Sequence, residues 1–272
     1  MSVESFATTV SPSARRRGNG QSLVGAEFLK LRKRRGLVLS SFGLTVVPML
    51  IGFAVVAVRH ASDPDRYGPG GGLENFVPSI GLLSGLVAVV AILIGVTAGT
   101  GDLRAGVFRE LVITGRSRLV LFAARVPGGL ALVLPSAAAG FVTAAVASIV
   151  LADAEPTPGV RVLVLTSAWI GLAAALTFVL ALGLSSVVGS AGPSIGILLG
   201  WQLLLGPLVL GISSLGIVHD LLPGAGLVAL APEALEAQPA VSMSAAAIAV
   251  NLILWMFVPL AAGAWRTNTR DA

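Results

Sequence analysis

Side chains able to do chemistry are scarce in this chain, and their positions are more informative than their number. Two histidines, His60 and His219, lie far apart in sequence and near the ends of apolar runs, a poor arrangement for a shared metal ion. There is no cysteine, so disulfides and thiolate metal sites are excluded. No GxxxxGK loop followed by Ser or Thr is present, so a phosphate-cradling ATPase site is not expected. An enzyme working inside a bilayer would need histidines, carboxylates or a serine–base pair at membrane depth. The spans predicted to cross the membrane contain no His, Asp, Glu or Lys, and neither histidine has an evident partner. No catalytic, cofactor-binding or metal-binding residue is therefore assigned, and the chain is not expected to be an enzyme.

Two charged segments remain. The first is SLVGAEFLKLRKRRG, which precedes the first apolar run. On a helical wheel Val24, Phe28 and Leu31 share one face, and Glu27, Lys30, Lys33 and Arg34 lie opposite. This predicts an amphipathic interface helix over 22–35, its basic face near lipid phosphates. It would serve as a topology anchor or also touch a partner subunit. The Arg-rich, Ser/Gly-rich stretch before it predicts a disordered tail over 1–21. The second segment is GDLRAGVFRELVITGRSRLVLFAAR, residues 101–125. Leu103, Val107 and Leu111 form an i, i+4, i+8 stripe with Phe108 beside it. Asp102, Arg109 and Arg116 are predicted to face water, and Thr114-Gly115 to break the helix. A short helix with an apolar edge and charged flanks suits insertion into a groove on another protein, although a plain re-entry loop fits the same residues.

The elements that position these segments are membrane spans. Of the 272 residues 55% are hydrophobic and only 11% charged, against about 25% charged in soluble proteins. Mean hydropathy is +0.92. The first uncharged run, Gly36 to Val58, is 23 residues long, which suits a span rather than a signal peptide. Further runs cover Asn75–Gly101, Val126–Ala152 and Ala237–Trp265. The 58-residue stretch Val162–His219 is broken by GSAGPS at 189–194, which predicts two spans and a turn. The expected fold is all-α, with six spans near 37–59, 78–100, 127–151, 163–187, 194–217 and 242–264 inside a domain over 36–265, and a tail over 266–272.

Fifteen of the eighteen Lys and Arg residues fall before the first span, in the 102–125 loop or after Trp265. That places both termini and the 102–125 loop in the cytoplasm by the positive-inside rule. The basic net charge of +5 is thus explained by topology, and no nucleic-acid partner is expected. Absence of ionisable groups within the spans argues against proton-coupled transport. Gly81/Gly85, Gly95/Gly99 and Gly196/Gly200 have the spacing of close helix packing. Pro48, Pro135, Pro207 and Pro259 lie within spans, where each could kink its helix. Trp201 and Trp265 are predicted interface anchors, Trp169 an anchor or packing residue, and Trp255 a packing residue. The loop at 218–241 is apolar at Leu227, Val228 and Leu230, and is compatible with a short re-entrant or surface helix or with a flexible loop.

The two charged segments and the layout resemble the permease subunit of ABC-2 type transporters. In that family a segment like AEFLKLRKRR (Ala26 to Arg35) leads into the first span. A loop like residues 101–125 follows the second, with an acidic position near Asp102, a small residue near Gly106 and basic positions near Arg118 and Arg125. This chain has Gly115-Arg116-Ser117-Arg118 where the family often has Pro-Ser-Arg, and Arg125 where Lys is common. The resemblance implies a subunit of an ATP-driven exporter in the bacterial cell membrane. ATP and Mg would bind a separate cytoplasmic ATPase. Asp102, Leu103, Gly106, Val107, Phe108, Arg109 and Leu111 would lie on the cytoplasmic coupling helix between spans two and three. Glu27, Phe28, Lys30, Leu31 and Arg34 on the interface helix would flank the same contact. A second permease chain would complete the pathway. A non-transporting membrane anchor or immunity protein, or less readily an intramembrane enzyme, are the alternatives.

Overall fold

A computed structural model describes residues 12–104, 117–212, 216–235 and 243–269, and the structure they form is helical, with no strand among the described residues. Helix α1 covers Pro12–Lys33, α2 Arg35–Ser62, α3 Gly72–Arg104, α4 Arg118–Val150 and α5 Val160–Val188. A broken helix follows: α6 (Ala191–Gly200), a π-helical turn (Trp201–Leu205) and α7 (Gly206–Leu210). Then come α8 (Ile217–Leu221), α9 (Ala225–Ala229), a 3₁₀ turn (Glu233–Leu235) and α10 (Ala245–Thr269). Six of these segments, α2, α3, α4, α5, α6–α7 and α10, are long and apolar enough to cross a membrane. The chain reads as a multi-pass membrane protein.

The helices do not stop where the charges begin. α1 starts at Pro12, inside the stretch predicted to be a disordered tail. α3 runs on to Arg104, taking in Asp102, and α4 starts at Arg118, taking in Arg125. The helices are thus longer than the predicted spans, which end at 100 and resume at 127: a charge with a partner need not end a helix, and Asp102 and Arg125 lie in the turns just beyond those bounds. The turn at Gly189 falls as predicted. Gly189 adopts the left-handed region (φ 76°) and ends α5, and α6 begins two residues later. Helices α2, α4 and α10 pass through Pro48, Pro135 and Pro259 without ending. Pro207 does interrupt its helix. The Gly206 amide reaches back to the Trp201 carbonyl, and the widened π turn makes room for the ring and its missing donor.

α3 is the central post. Over half of its most apolar stretch is buried (56%), against 6% for α10, so α3 organises the bundle and α10 lies at its edge. Phe76, Ile80, Leu83, Val87, Val90, Ala91 and Ile94 of α3 fill the core with Phe53 of α2, Phe141 of α4 and Phe178 of α5. Phe76 and Phe141 meet edge to face, ring centres 6.2 Å apart. Where lipid supplies no hydrophobic drive between helices, close contact comes from small residues. Of the three glycine pairs with the spacing of close packing, one packs within the chain: a methyl at Gly95 would lie 2.7 Å from the Phe178 carbonyl of α5, and one at Gly99 would strike Ser185. Gly81, Gly85, Gly196 and Gly200 face open space. A second glycine contact, Gly183 on α5 against Gly263 and Pro259, seats α10.

At the end of the bundle away from α1, polar side chains stitch the connections. Ser148 donates to the Gly72 carbonyl (2.8 Å), and the Gly71 amide to Leu151 (2.7 Å). The 216–235 segment contains helical turns rather than a plain loop, and α10 holds it. Asn251 Nδ2 donates to the carbonyls of Asp220 (2.7 Å) and Leu222 (3.0 Å), and its Oδ1 accepts from the Gly226 amide. The indoles of Trp255 and Trp169 donate to Leu221 (2.9 Å) and Leu227 (2.8 Å). Trp255, predicted to be a packing residue, is thus also a donor. Asn251 lies about 9 Å along α10 from its start, so the segment descends beside the helix rather than resting on its tip.

Replacing Gly99 by Leu should destabilise the protein by about 1–3 kcal/mol through overpacking, whereas Gly196→Leu should be close to neutral. Thermal unfolding of the two variants in detergent checks this, and an equal loss from both would refute the packing assignment.

Candidate functional site

The polar centre of the molecule forms where the end of α1, the end of α3 and the start of α4 converge. Asp102 is buried there. Its Oδ2 accepts from Arg125 Nη2 at 2.8 Å, and its Oδ1 from Lys30 Nζ at 2.8 Å. Lys30 also donates to Glu27 Oε1 at 2.7 Å. Arg125 Nη1 leans on the Gly99 carbonyl at 3.4 Å, and the Arg125 side chain is only 3% exposed. Two carboxylates thus balance two cations.

Local sequence explains the convergence. Gly128, one turn after Arg125 on α4, has no side chain, and the backbone of α1 fills the space: a methyl there would sit 2.8 Å from Glu27 Cβ and 3.2 Å from the Phe28 amide. This approach lays α1 across α4, sends Leu31 into the main core and brings Lys30 to Asp102. Of the residues predicted to share a polar face near lipid phosphates, Lys33 and Arg34 are exposed, but Glu27 and Lys30 are drawn into the ion-pair network. Glu27 and Lys30 turn toward the bundle because partners wait for them there. Phe28 is half-buried, and Arg34 stands exposed at the one-residue corner between α1 and α2. Asp102, predicted to face water, is buried for the same reason: its helix continues past it and two cations satisfy it. Leu103 belongs to α3. Gly106, Val107, Phe108, Arg109 and Leu111 lie outside the described residues.

Sequence reasoning left Arg125 out of the candidate site, although it is the innermost charge. The available signal was its pairing with Asp102 across the loop, 23 residues apart, one charge near the end of a span and the opposite charge near the start of the next. Gly128 carried no signal of its own.

Burial by itself would lower the pKa of Lys30, but hydrogen bonds to Asp102 and Glu27 and their negative charges outweigh it, and the group sits above its ordinary 10.5. A raised folded pKa means that this contribution to stability is complete below 10.5 and is lost as pH climbs through the folded value. The Lys30 contribution is therefore constant across the neutral range.

Chemically the arrangement is an electrostatic lock, a buried ion-pair network in which Asp102 is held by two cations and Arg125 Nε is left without a hydrogen-bond partner among the described residues. Among the described residues no group of His and carboxylate side chains could hold a metal ion. Each histidine spends a ring N–H on a backbone carbonyl, His60 on Tyr67 (2.7 Å) and His219 on Leu210 (2.9 Å). What the lock can do is transmit position. It clasps Asp102 and Arg125, which flank the 105–116 segment, and ties both to α1. Arg118 donates to the Asn268 carbonyl at 3.1 Å, joining the start of α4 to the end of α10. No protein-family model matches the chain, and no curated protein is detectably similar to it in sequence.

Asp102→Asn should cost about 3–5 kcal/mol, because it strands the buried Arg125 guanidinium. Adding Arg125→Met should restore part of that loss, and the double-mutant cycle measures the coupling. The stability lost in Lys30→Met should be constant from about pH 6 to 9 and shrink above pH 10.5. Unfolding midpoints of the single and double variants over that pH range decide both points.

Proposed function

We propose that this chain is the membrane permease subunit of an ABC-2 type, ATP-driven exporter, working as a dimer with a separate cytoplasmic ATPase. The observation that carries the reading is the Lys30–Asp102–Arg125 lock. It joins the N-terminal helix, the second span and the third span into one unit at the base of the 105–116 segment. In the proposed scheme that segment is the coupling helix seated on the ATPase. A push on it would reach α3, the central post of the bundle, without being lost in a loose joint. ATP binding would favour one arrangement of the two subunits, and the lock would pass the displacement to the spans. Six apolar segments and basic residues concentrated at the α1 end agree with a cell-membrane protein with both termini inside. The chain has no phosphate-binding loop of its own, so ATP and Mg belong to the partner.

Two measurements test the proposal. Affinity-tagged protein extracted from its native membranes should retain a soluble ATP-hydrolysing subunit. Arg109→Glu or Val107→Asp should reduce that recovery at least several-fold while leaving the permease folded. Full recovery with both variants would remove the basis for the coupling assignment. Since the chain has no cysteine, single cysteines report topology cleanly. Arg32→Cys should resist a membrane-impermeant thiol reagent in intact cells, and Glu233→Cys should react with it. The reverse pattern would place the 105–116 segment outside and exclude any cytoplasmic ATPase.

A further inference from the structure

Beside the lock a cleft of about 290 Å³ opens between α1 and α3, lined by Glu27, Lys30, Lys33, Arg34, Gly101 and Asp102 among others. Its floor on α3 is low, because Thr97, Ala98 and Gly101 are small. A methyl at Gly101 would come within 3.6 Å of Arg34 Nη2, so the guanidinium overhangs that floor. The two carboxylates in the cleft are already neutralised, Asp102 by Arg125 and Lys30 and Glu27 by Lys30. Lys33 and Arg34 are different: among the described residues neither has an ion-pair partner, and both are exposed. The surplus charge of the cleft is therefore positive and uncommitted. Just beyond this corner α2 presents Leu39, which is 73% exposed, and Leu50 and Ile51 continue an apolar surface down the helix.

We infer that this cleft holds the phosphate of an anionic phospholipid from the adjoining leaflet. Lys33 and Arg34 would grip the phosphate, and the acyl chains would run along the exposed apolar surface of α2. A guanidinium and an ammonium side by side suit a phosphate monoanion better than a zwitterionic headgroup, whose own cation they would repel. The open apolar flank distinguishes a lipid from a free anion, which would gain nothing from Leu39. The lipid would then hold down the corner between α1 and α2 next to the lock. This inference rests on the six-span reading but not on the export reading, so lipid binding and ATPase recovery can fail independently.

The test uses the full chain, purified in a neutral detergent, with phosphatidylglycerol, phosphatidylcholine and inorganic phosphate as probes. Phosphatidylglycerol should raise the thermal midpoint and remain bound in native mass spectrometry, whereas phosphatidylcholine and inorganic phosphate should do neither. The double variant Lys33→Gln/Arg34→Gln alters two exposed side chains and should weaken phosphatidylglycerol binding by about tenfold or more. Arg161→Gln, a cation outside the cleft, should leave binding unchanged. Gly101→Leu fills the cleft without removing a charge and should also weaken binding, which separates a built site from a merely basic surface. Equal effects of the two lipids, or undiminished binding in the double variant, overturn the inference. A stabilisation by inorganic phosphate as large as that by phosphatidylglycerol reassigns the cleft to a free anion and overturns the lipid reading.

Discussion

A buried polar group in an apolar medium has nowhere to turn except to its own chain, and most of this structure follows from that constraint. The spans are helical because helices satisfy their own backbone. Many serines and threonines within them return their hydroxyls to carbonyls a turn earlier, as Thr100 does to Val96 and Thr267 to Gly263, whereas the buried Thr166 hydroxyl has no partner among the described residues. Where polar groups fall outside that economy they are gathered at the two ends of the bundle. Asn251, Trp169 and Trp255 serve the backbone of the 216–235 segment at one end. Asp102 collects Lys30 and Arg125 at the other.

The lock joins energetics to the proposed function. A buried ion pair is weak evidence for stability in itself, because the cost of desolvation offsets much of the attraction. Its value lies in specifying geometry: an apolar replacement could pack as well while letting α1 slide along α4. Gly128 and Asp102 act together in this, one by allowing close approach and the other by setting the register. A coupling device needs that property, since a displacement applied next to a slack joint never reaches the spans. The partial exposure of Lys30 keeps one side of the lock at the surface, next to the cleft between α1 and α3.

Much of the fold was legible residue by residue. The break at Gly189 could be read because only a residue tolerant of positive φ ends a helix that tightly. The number of spans followed from run lengths and bilayer thickness. Span ends were less legible. Runs were closed at the first charge, yet α3 passes Asp102 and α4 begins before Arg125, since a paired charge does not end a helix. Glycine spacing was equally ambiguous. Gly95/Gly99 and Gly196/Gly200 share one spacing, but only the first pair faces another helix. Helical periodicity places residues on a common face without saying what that face meets.

The sequence by itself determined the solvent, the number of apolar segments, their breaks and the sorting of charge, because each depends on composition and distance along the chain. Tertiary structure alone decided which faces met. It brought Glu27 and Lys30 into the ion-pair network, buried Asp102, drew in Arg125 and left Lys33 and Arg34 without an ion-pair partner among the described residues. The physical reason is that a charge is buried or exposed according to the partner within about 3 Å, and those partners lie on other helices, separated along the chain by lengths that no local pattern encodes.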